Sequence, residues 1–384
     1  MTSVAGFRPR CLVRTNAGSV GIMTRILTLG AAIVAIAALP IIAAEKIVSG
    51  PFYVGVTQRS ATMVWVVQSD ERTLRASHGS IKARPSPVRI ETKRFVSLQP
   101  NTRYDFEVPS AGESRKGYFK TAPAGAVPYR FVVYGDTRTR HDVHRRVVAE
   151  VIKHGIPDFV VHTGDLVADG NDFEQWPVFF DIEKDLLRQT AFFPSLGNHE
   201  QNTPYFQDLF QGESPYYSFD WGNAHFSVID SNLEDFGSGS QDRRTFWAKQ
   251  VRWLEQDLQN HQTSTFRFVV SHHPPFTAVG RRQGDNAHVT ALTPLFEKYR
   301  VAAGFFGHDH NYQHYLKNGV HYVISGGGGA PLYDVDKPPV GITEKVASIE
   351  NFLSVRVSGD TAHVQGIAID GSIIEEFDLS AALP

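Results

Sequence analysis

The sequence predicts an α/β protein in two parts, a small β-sandwich followed by a larger layered α/β domain. Three observations predict it. Short alternating segments separated by turn residues fill positions 46–123. From Tyr129 onward, apolar runs alternate with longer stretches of helical period. Five of the apolar runs end in a residue type that binds metal ions.

In the first part, Phe52 to Thr57, Ser60 to Val67, Val88 to Phe95, Arg103 to Val108 and Lys116 to Thr121 read as strands. The alternation of Ala61, Met63, Trp65 and Val67 with Thr62, Val64 and Val66 is a strand signal in which both faces are apolar. Strands this short and evenly spaced suggest a sandwich. Ala122 to Pro128 reads as a linker. In the second part, His141 to His154, Phe246 to Leu258 and Thr290 to Tyr299 read as helices. Tyr216 to Phe219 and His225 to Asp230 read as a hairpin around Trp221-Gly222-Asn223. Leu353 to Val357, His363 to Ile369 and Ile373 to Phe377 return to strand.

Residues 1–44 read as a leader outside the fold. Arg25 precedes an apolar stretch, Ile26 to Ala44, that contains Pro40 and ends in small residues. That is the pattern of a cleaved secretory signal, with Met23 as an alternative start. An uncleaved membrane anchor is the rival reading, because the stretch approaches the ~20 residues that a span requires. Cleavage would remove four arginines and no acids, taking the formal charge from −2 to −6. It would also remove Cys11, the one cysteine, so an exported product would have no disulfide. The expected location is secreted or periplasmic, with no stable membrane span after cleavage. An apolar share of 42% supports ordinary cores. The mildly negative balance argues against nucleic acid as the main partner.

The candidate chemistry lies in Tyr134-Gly135-Asp136, Thr163-Gly164-Asp165, Gly197-Asn198-His199-Glu200, Ser271-His272-His273-Pro274 and Gly307-His308-Asp309-His310. Each follows an apolar run that reads as a buried strand delivering a loop to one edge of a sheet. Carboxylates, an amide and imidazoles suit hard or borderline cations better than soft ones. Their convergence is what a two-metal hydrolytic centre needs. A single Gly-Asp is equally well a cap at a strand end; five such elements in order are not coincidence.

The ordered set resembles the calcineurin-like metallophosphoesterases, and within them the purple acid phosphatases and their bacterial relatives. The stretch Tyr216 to Phe226, the stretch Trp253 to Leu258 and the fibronectin type III-like turn and tyrosine of Leu98 to Tyr104 extend the resemblance. It implies a four-layer α/β/β/α sandwich over 128–384, preceded by a fibronectin type III-like β-sandwich over 45–123. It implies that Asp136 and His310 bind a first metal, that Asn198, His272 and His308 bind a second, and that Asp165 bridges the two. Two ions of Fe, Zn or Mn about 3.5–4 Å apart would share the attacking hydroxide. His199 would stabilise the charged transition state or protonate the leaving group. The implied substrate is a phosphorylated small molecule. A phosphomonoester leads, and a phosphodiester or nucleotide pyrophosphate is the runner-up. A weakened phosphate-binding or adhesion protein is the reading from another class.

The chain departs from the family pattern in three places. Ala168 stands where purple acid phosphatases carry a tyrosine ligand, so the purple colour should be absent. Arg138 stands where other branches place a histidine ligand. Arg281 and Arg282 stand at the spacing of a substrate-facing histidine pair in plant-type members. All three arginines are candidates for the substrate phosphate, with a structural salt bridge for Arg138 and a solvated loop for the pair as rival readings. Glu200 is expected to orient a neighbouring imidazole. His162 is expected in the core, His273 in a structural role, and His314 near the site's periphery or exposed. His141 and His144 are considered for the missing ligand.

Overall fold

Five N-terminal strands come first in the computed structural model, which describes residues 46–68, 88–210, 212, 214–233 and 240–381. They are β1 (Ile47–Val54), β2 (Ala61–Gln68), β3 (Val88–Phe95), β4 (Arg103–Ser110) and β5 (Glu113–Lys120). The predicted leader, with Cys11 and Arg25, lies outside the described residues. The first half of the α/β part contains β6 (Tyr129–Tyr134), α1 (His141–Lys153), β7 (Phe159–His162), α2 (Gln175–Leu187), β8 (Ala191–Pro194) and α3 (Pro204–Phe210). The second half contains β9 (Tyr217–Trp221), β10 (Ala224–Val228), α4 (Ser240–Asn260), β11 (Phe266–Val270), α5 (Ala287–Thr290), α6 (Thr293–Lys298) and β12 (Ala303–Phe306). Six strands complete it: β13 (Tyr312–Lys317), β14 (Val320–Ser325), β15 (Thr343–Ala347), β16 (Asn351–Ser358), β17 (Thr361–Ala368) and β18 (Ile373–Ser380).

Two sheets form the centre. One runs β18-β17-β16-β6-β7-β8-β1-β2-β3 and the other β15-β13-β14-β12-β11-β10-β9. The apolar runs of the sequence are continuous because each sheet is buried on both faces. Along β6, Phe131 and Val133 enter the core between the sheets, while Val132 and Tyr134 pack outward. Phe131 shows the inter-sheet contact directly: its ring centre lies 5.3 Å from Phe226 and 5.9 Å from both Phe268 and Phe305. Outside the first sheet lie Val147 and Val151 of α1, Trp176 and Phe179 of α2, and Leu209 of α3. Outside the second lie Leu254 and Leu258 of α4, Val289 of α5 and Phe296 of α6. The four layers α/β/β/α follow.

The N-terminal strands make a small two-layer β unit. The β4–β5 hairpin covers β1–β3, with Phe119 of β5 4.3 Å from Tyr53 and 6.1 Å from Phe95. Tyr104 closes its turn, its hydroxyl accepting the Gln99 N–H at 2.8 Å. Both faces of β1 and β2 are apolar for a reason that the sequence did not disclose. Met63 and Trp65 face the hairpin core, whereas Phe52, Val64 and Val66 belong to the core under α2 and α3. Phe52 stacks on Phe180 of α2 at 4.4 Å. β1 also pairs in parallel with β8 at Tyr53 and Ala191, so the unit continues the first sheet.

Two readings need correction at the level of elements. The helix expected over Thr290 to Tyr299 is two short helices, α5 and α6, with Pro294 in the first turn of the second. Proline has no N–H to continue a helix but fits its first turn. Helix α2 was not anticipated; its aromatic segment carries Pro177, which sits harmlessly in the first turn.

Candidate metal centre

All five predicted loops leave the carboxyl ends of their strands on one edge: β6, β7 and β8 of the first sheet, β11 and β12 of the second. Asp136, Asp165 and His308 each adopt the left-handed region, with φ of 60°, 57° and 68°. Such conformations are costly for residues with a Cβ and persist where surrounding structure holds them. Here it does. A Cβ on Gly197 would collide with the backbone nitrogen and carboxylate of Asp165. The four-glycine run Gly326–Gly329 presses against the first loop, where a Cβ on Gly328 would strike the Gly135 carbonyl. Only glycine allows these backbones to approach so closely.

The ligand-type atoms converge. His272 donates from Nδ1 to the Thr163 carbonyl at 2.8 Å. That bond leaves Nε2 with a lone pair, which lies 3.1 Å from Asn198 Oδ1 and 3.2 Å from His308 Nδ1. His308 Nδ1 in turn lies 3.1 Å from Asn198 Oδ1. His272 Nε2 is 3.4 Å from Asp165 Oδ1. On the other side, His310 donates from Nδ1 to the Pro331 carbonyl at 2.7 Å and turns Nε2 toward Asp136, 3.5 Å away. Carbonyls that fix the tautomer of a metal-binding histidine in this way are a recurrent device. One ligand atom from each of Asp136, Asp165 and His272 falls within 4.8 Å of the others, so Asp165 lies between the two halves.

Burial sets the charge states. It pushes the His272 and His310 imidazoles down to about 3, and His308 well below the usual range, so all three are neutral donors. It pushes the Asp136 carboxyl up, and the charge of Asp165 adds to that shift. A bare nitrogen lone pair facing an amide oxygen with no proton between them is repulsive. A shared cation makes the same arrangement attractive, so this donor set of oxygen and imidazole nitrogen fits a hard or borderline metal ion.

Other residues singled out in the sequence lie around this cluster. His199 donates from Nδ1 to the Ala168 carbonyl at 2.8 Å, and its Nε2 stands 3.9 Å from Asp165 Oδ2. The Ala168 carbonyl thus orients His199, and the Ala168 side chain offers no ligand atom. Arg138 Nε is 3.3 Å from Asp165 Oδ2, with the side chain mostly buried. Arg281 and Arg282 line a cavity together with Asn198 and His308. Glu200 does not orient an imidazole as expected. It accepts the N–H groups of Gly197, Asp165, Leu166 and Val167 at 2.7–3.3 Å and so locks two ligand loops together.

The remaining histidines separate cleanly. His144 is buried against Glu183 at 2.7 Å, so it is no substitute ligand, and His141 is exposed on α1. His162 is a core residue bonded to Thr137. His273 bonds to Ser231 and lies 4.1 Å, ring to ring, from His308. His314 is not exposed: it is buried between Glu375 and His321. Sequence reasoning missed Tyr333, whose ring stacks on His310 at 4.1 Å. It also missed Asp309, buried and 3.6 Å from Arg282. Asp309 lies inside a predicted motif, but nothing near Tyr333 in the sequence marks it.

Residues 129–312 match the family model of the calcineurin-like phosphoesterases. The chain carries a calcineurin-like phosphoesterase domain. An uncharacterized protein of Mycobacterium tuberculosis is 27% identical over 269 residues, 59% of this chain and 50% of that protein. The chain therefore spans about half the length of that relative. Acid phosphatase type 7 of Mus musculus is 25% identical over 310 residues, 72% of this chain and 70% of the mouse protein. In fold, the chain matches a purple acid phosphatase from yellow lupin, Lupinus luteus, with a TM-score of 0.68. The match has 17% identity and covers 86% of this chain and 74% of the lupin chain. These likenesses support the purple acid phosphatase-like branch of the superfamily. The cluster of Asp136, Asp165 and His272 is a candidate for divalent metal ions.

Proposed function

We propose that this chain is a binuclear metal-dependent hydrolase of phosphate esters, acting as an acid phosphatase-like phosphomonoesterase. The observation that carries the reading is the packing of His272 Nε2, Asn198 Oδ1 and His308 Nδ1 against Asp165, with the His272 tautomer set by a backbone carbonyl. Asn198, His272 and His308 would hold one cation, Asp136 and His310 the other, and Asp165 both. When bound, such ions supply Lewis acidity at the phosphoryl group and lower the pKa of a shared water. The chain's own groups do the rest. His199, oriented by the Ala168 carbonyl, presents Nε2 at the half-exposed rim, where it can give a proton to the departing alkoxide. Arg138 holds Asp165 in place and offers the rest of its guanidinium to phosphate oxygens. Ala168 supplies no side-chain ligand, so a purple charge-transfer band is not part of this proposal.

Export to a secreted or periplasmic location is part of the same proposal, resting on Arg25 and the apolar stretch that follows it. Among the described residues no helix is long and apolar enough to cross a membrane. Turnover of p-nitrophenyl phosphate beside bis(p-nitrophenyl) phosphate, after loading with manganese, iron or zinc, tests the activity. Faster hydrolysis of the monoester supports the reading. Preference for the bis-ester would make the chain a phosphodiesterase, and no turnover of either would reject the enzyme.

A further inference from the structure

The cavity beside the ligand cluster is larger than a phosphate needs. It measures about 510 Å³ and is bounded by Asn198 and His308 from the cluster and by Arg281, Arg282, Asp285 and His288 from the segment that follows β11. That volume suits a whole small-molecule ligand.

The arginine pair belongs to a built wall rather than a solvated loop. The turn Gly280–Arg282 is tied to the segment 333–337. Gly280 donates to Asp336 at 2.8 Å, Gln283 donates to the Lys337 carbonyl at 2.8 Å, and Lys337 N–H donates to the Ala278 carbonyl at 2.8 Å. Arg282 points one nitrogen at buried Asp309, 3.6 Å away, and donates from another to the Tyr333 hydroxyl at 3.3 Å. Asp309 is itself held by Thr277 and Gln313. Both guanidinium groups lie over the Tyr333 ring, at 4.5 and 4.9 Å from its centre. That ring stacks on the ligand-type His310.

The two charges are not equivalent. Asp309 offsets the charge of Arg282. Arg281 is exposed to the cavity and has no ion-pair partner among the described residues; Asp285, which also lines the cavity, makes no ion pair with it. The reacting phosphate already has the candidate metal ligands' cations and Arg138 for its own charge. A guanidinium without an ion-pair partner among the described residues, set over an aromatic face and opening into the same cavity, is a fork for another anion.

We propose that the cavity selects phosphate monoesters whose alcohol part carries a second anionic group, bound by Arg281 on the platform of Tyr333 and Arg282. The proposal rests on the phosphoesterase reading of the neighbouring cluster.

Calorimetry on the metal-loaded full chain tests it with propylphosphonate and 3-phosphonopropionate, which differ by a terminal carboxylate. The carboxylate compound should bind about tenfold more tightly, as one partly exposed charged hydrogen bond allows. Arg281→Gln should bring the two dissociation constants within about twofold. Equal constants in the wild type, or an unchanged gap in Arg281→Gln, would overturn the proposal. Turnover of glycerol 3-phosphate and 3-phosphoglycerate separates the two readings. A binding gap that depends on Arg281, without turnover of either ester, overturns the hydrolase and keeps the anion subsite. Turnover of both with equal kcat/KM and no binding gap keeps the hydrolase and overturns the subsite.

Discussion

At the residue scale, the candidate centre is a few atoms held by backbone carbonyls. His272→Ala removes a lone pair from the tightest part of the cluster, and its loss should lower metal retention on dialysis. Metal analysis showing full retention would remove His272 from the ligand set. His199→Gln keeps size and polarity but cannot deliver a proton. Its kcat should fall by about 10²–10⁴-fold, with the larger loss on alkyl phosphates, whose leaving groups need the proton most. An equal loss on p-nitrophenyl phosphate and alkyl phosphates would assign His199 to charge stabilisation instead.

Much of this scale was legible in the sequence. Asp136, Asp165, Asn198, His272, His308 and His310 stand together because each follows an apolar run that reads as a buried strand. Glu200 was legible as important but not in its role, because its four partners are backbone N–H groups, which no residue pattern displays. Tyr333 was not legible at all, since its stacking on His310 depends on a loop with no strand or helix period.

At the element scale, Glu200 and His225 are the groups that join pieces of chain. Glu200→Ala would leave four buried N–H groups without their acceptor. A loss of about 3 kcal/mol or more is expected, since each buried unsatisfied donor costs about 1–3 kcal/mol. Denaturant melts showing less than about 1 kcal/mol would mean that water replaces the carboxylate. His225 of β10 bonds to Asp220 of β9 at 2.8 Å and to Asp257 of α4 at 2.8 Å. Burial opposes its charge, but the hydrogen bonds to Asp220 and Asp257 outweigh burial and raise its pKa. The sign follows: this contribution is complete below the ordinary histidine value near about 6.5 and fades as pH rises through the raised one. The Tm difference between the wild type and His225→Gln should therefore shrink as pH rises from about 6.5. A constant difference across that range would show that the imidazolium adds nothing.

The hairpin carrying His225 was legible from Trp221-Gly222-Asn223, where Gly222 takes a φ of 62°. The split of α5 from α6 was less so, because Leu292, Val289 and Phe296 keep one apolar face across the break.

At the scale of the whole molecule, the N-terminal β unit and the α/β layers share structure. β1 pairs with β8, Phe52 stacks on Phe180, Tyr118 N–H donates to the Arg188 carbonyl at 2.8 Å, and Lys120 meets Asp158 at 2.9 Å. The apolar Thr62, Val64, Val66 side of β2 signalled a second buried face, but a sequence does not say what covers it. Calorimetry should show one cooperative transition for both parts; two separated transitions would mean that the shared strand contributes little.

In the proposed function, Asp165 joins two cation sites in a working phosphoesterase. Metal content and p-nitrophenyl phosphate turnover, measured together on the wild type and Asp165→Asn, test it most directly. About two metal ions per wild-type chain with turnover are expected, and loss of turnover with reduced metal in Asp165→Asn. Unchanged metal and turnover in Asp165→Asn, or a fully loaded wild type without turnover, would contradict it.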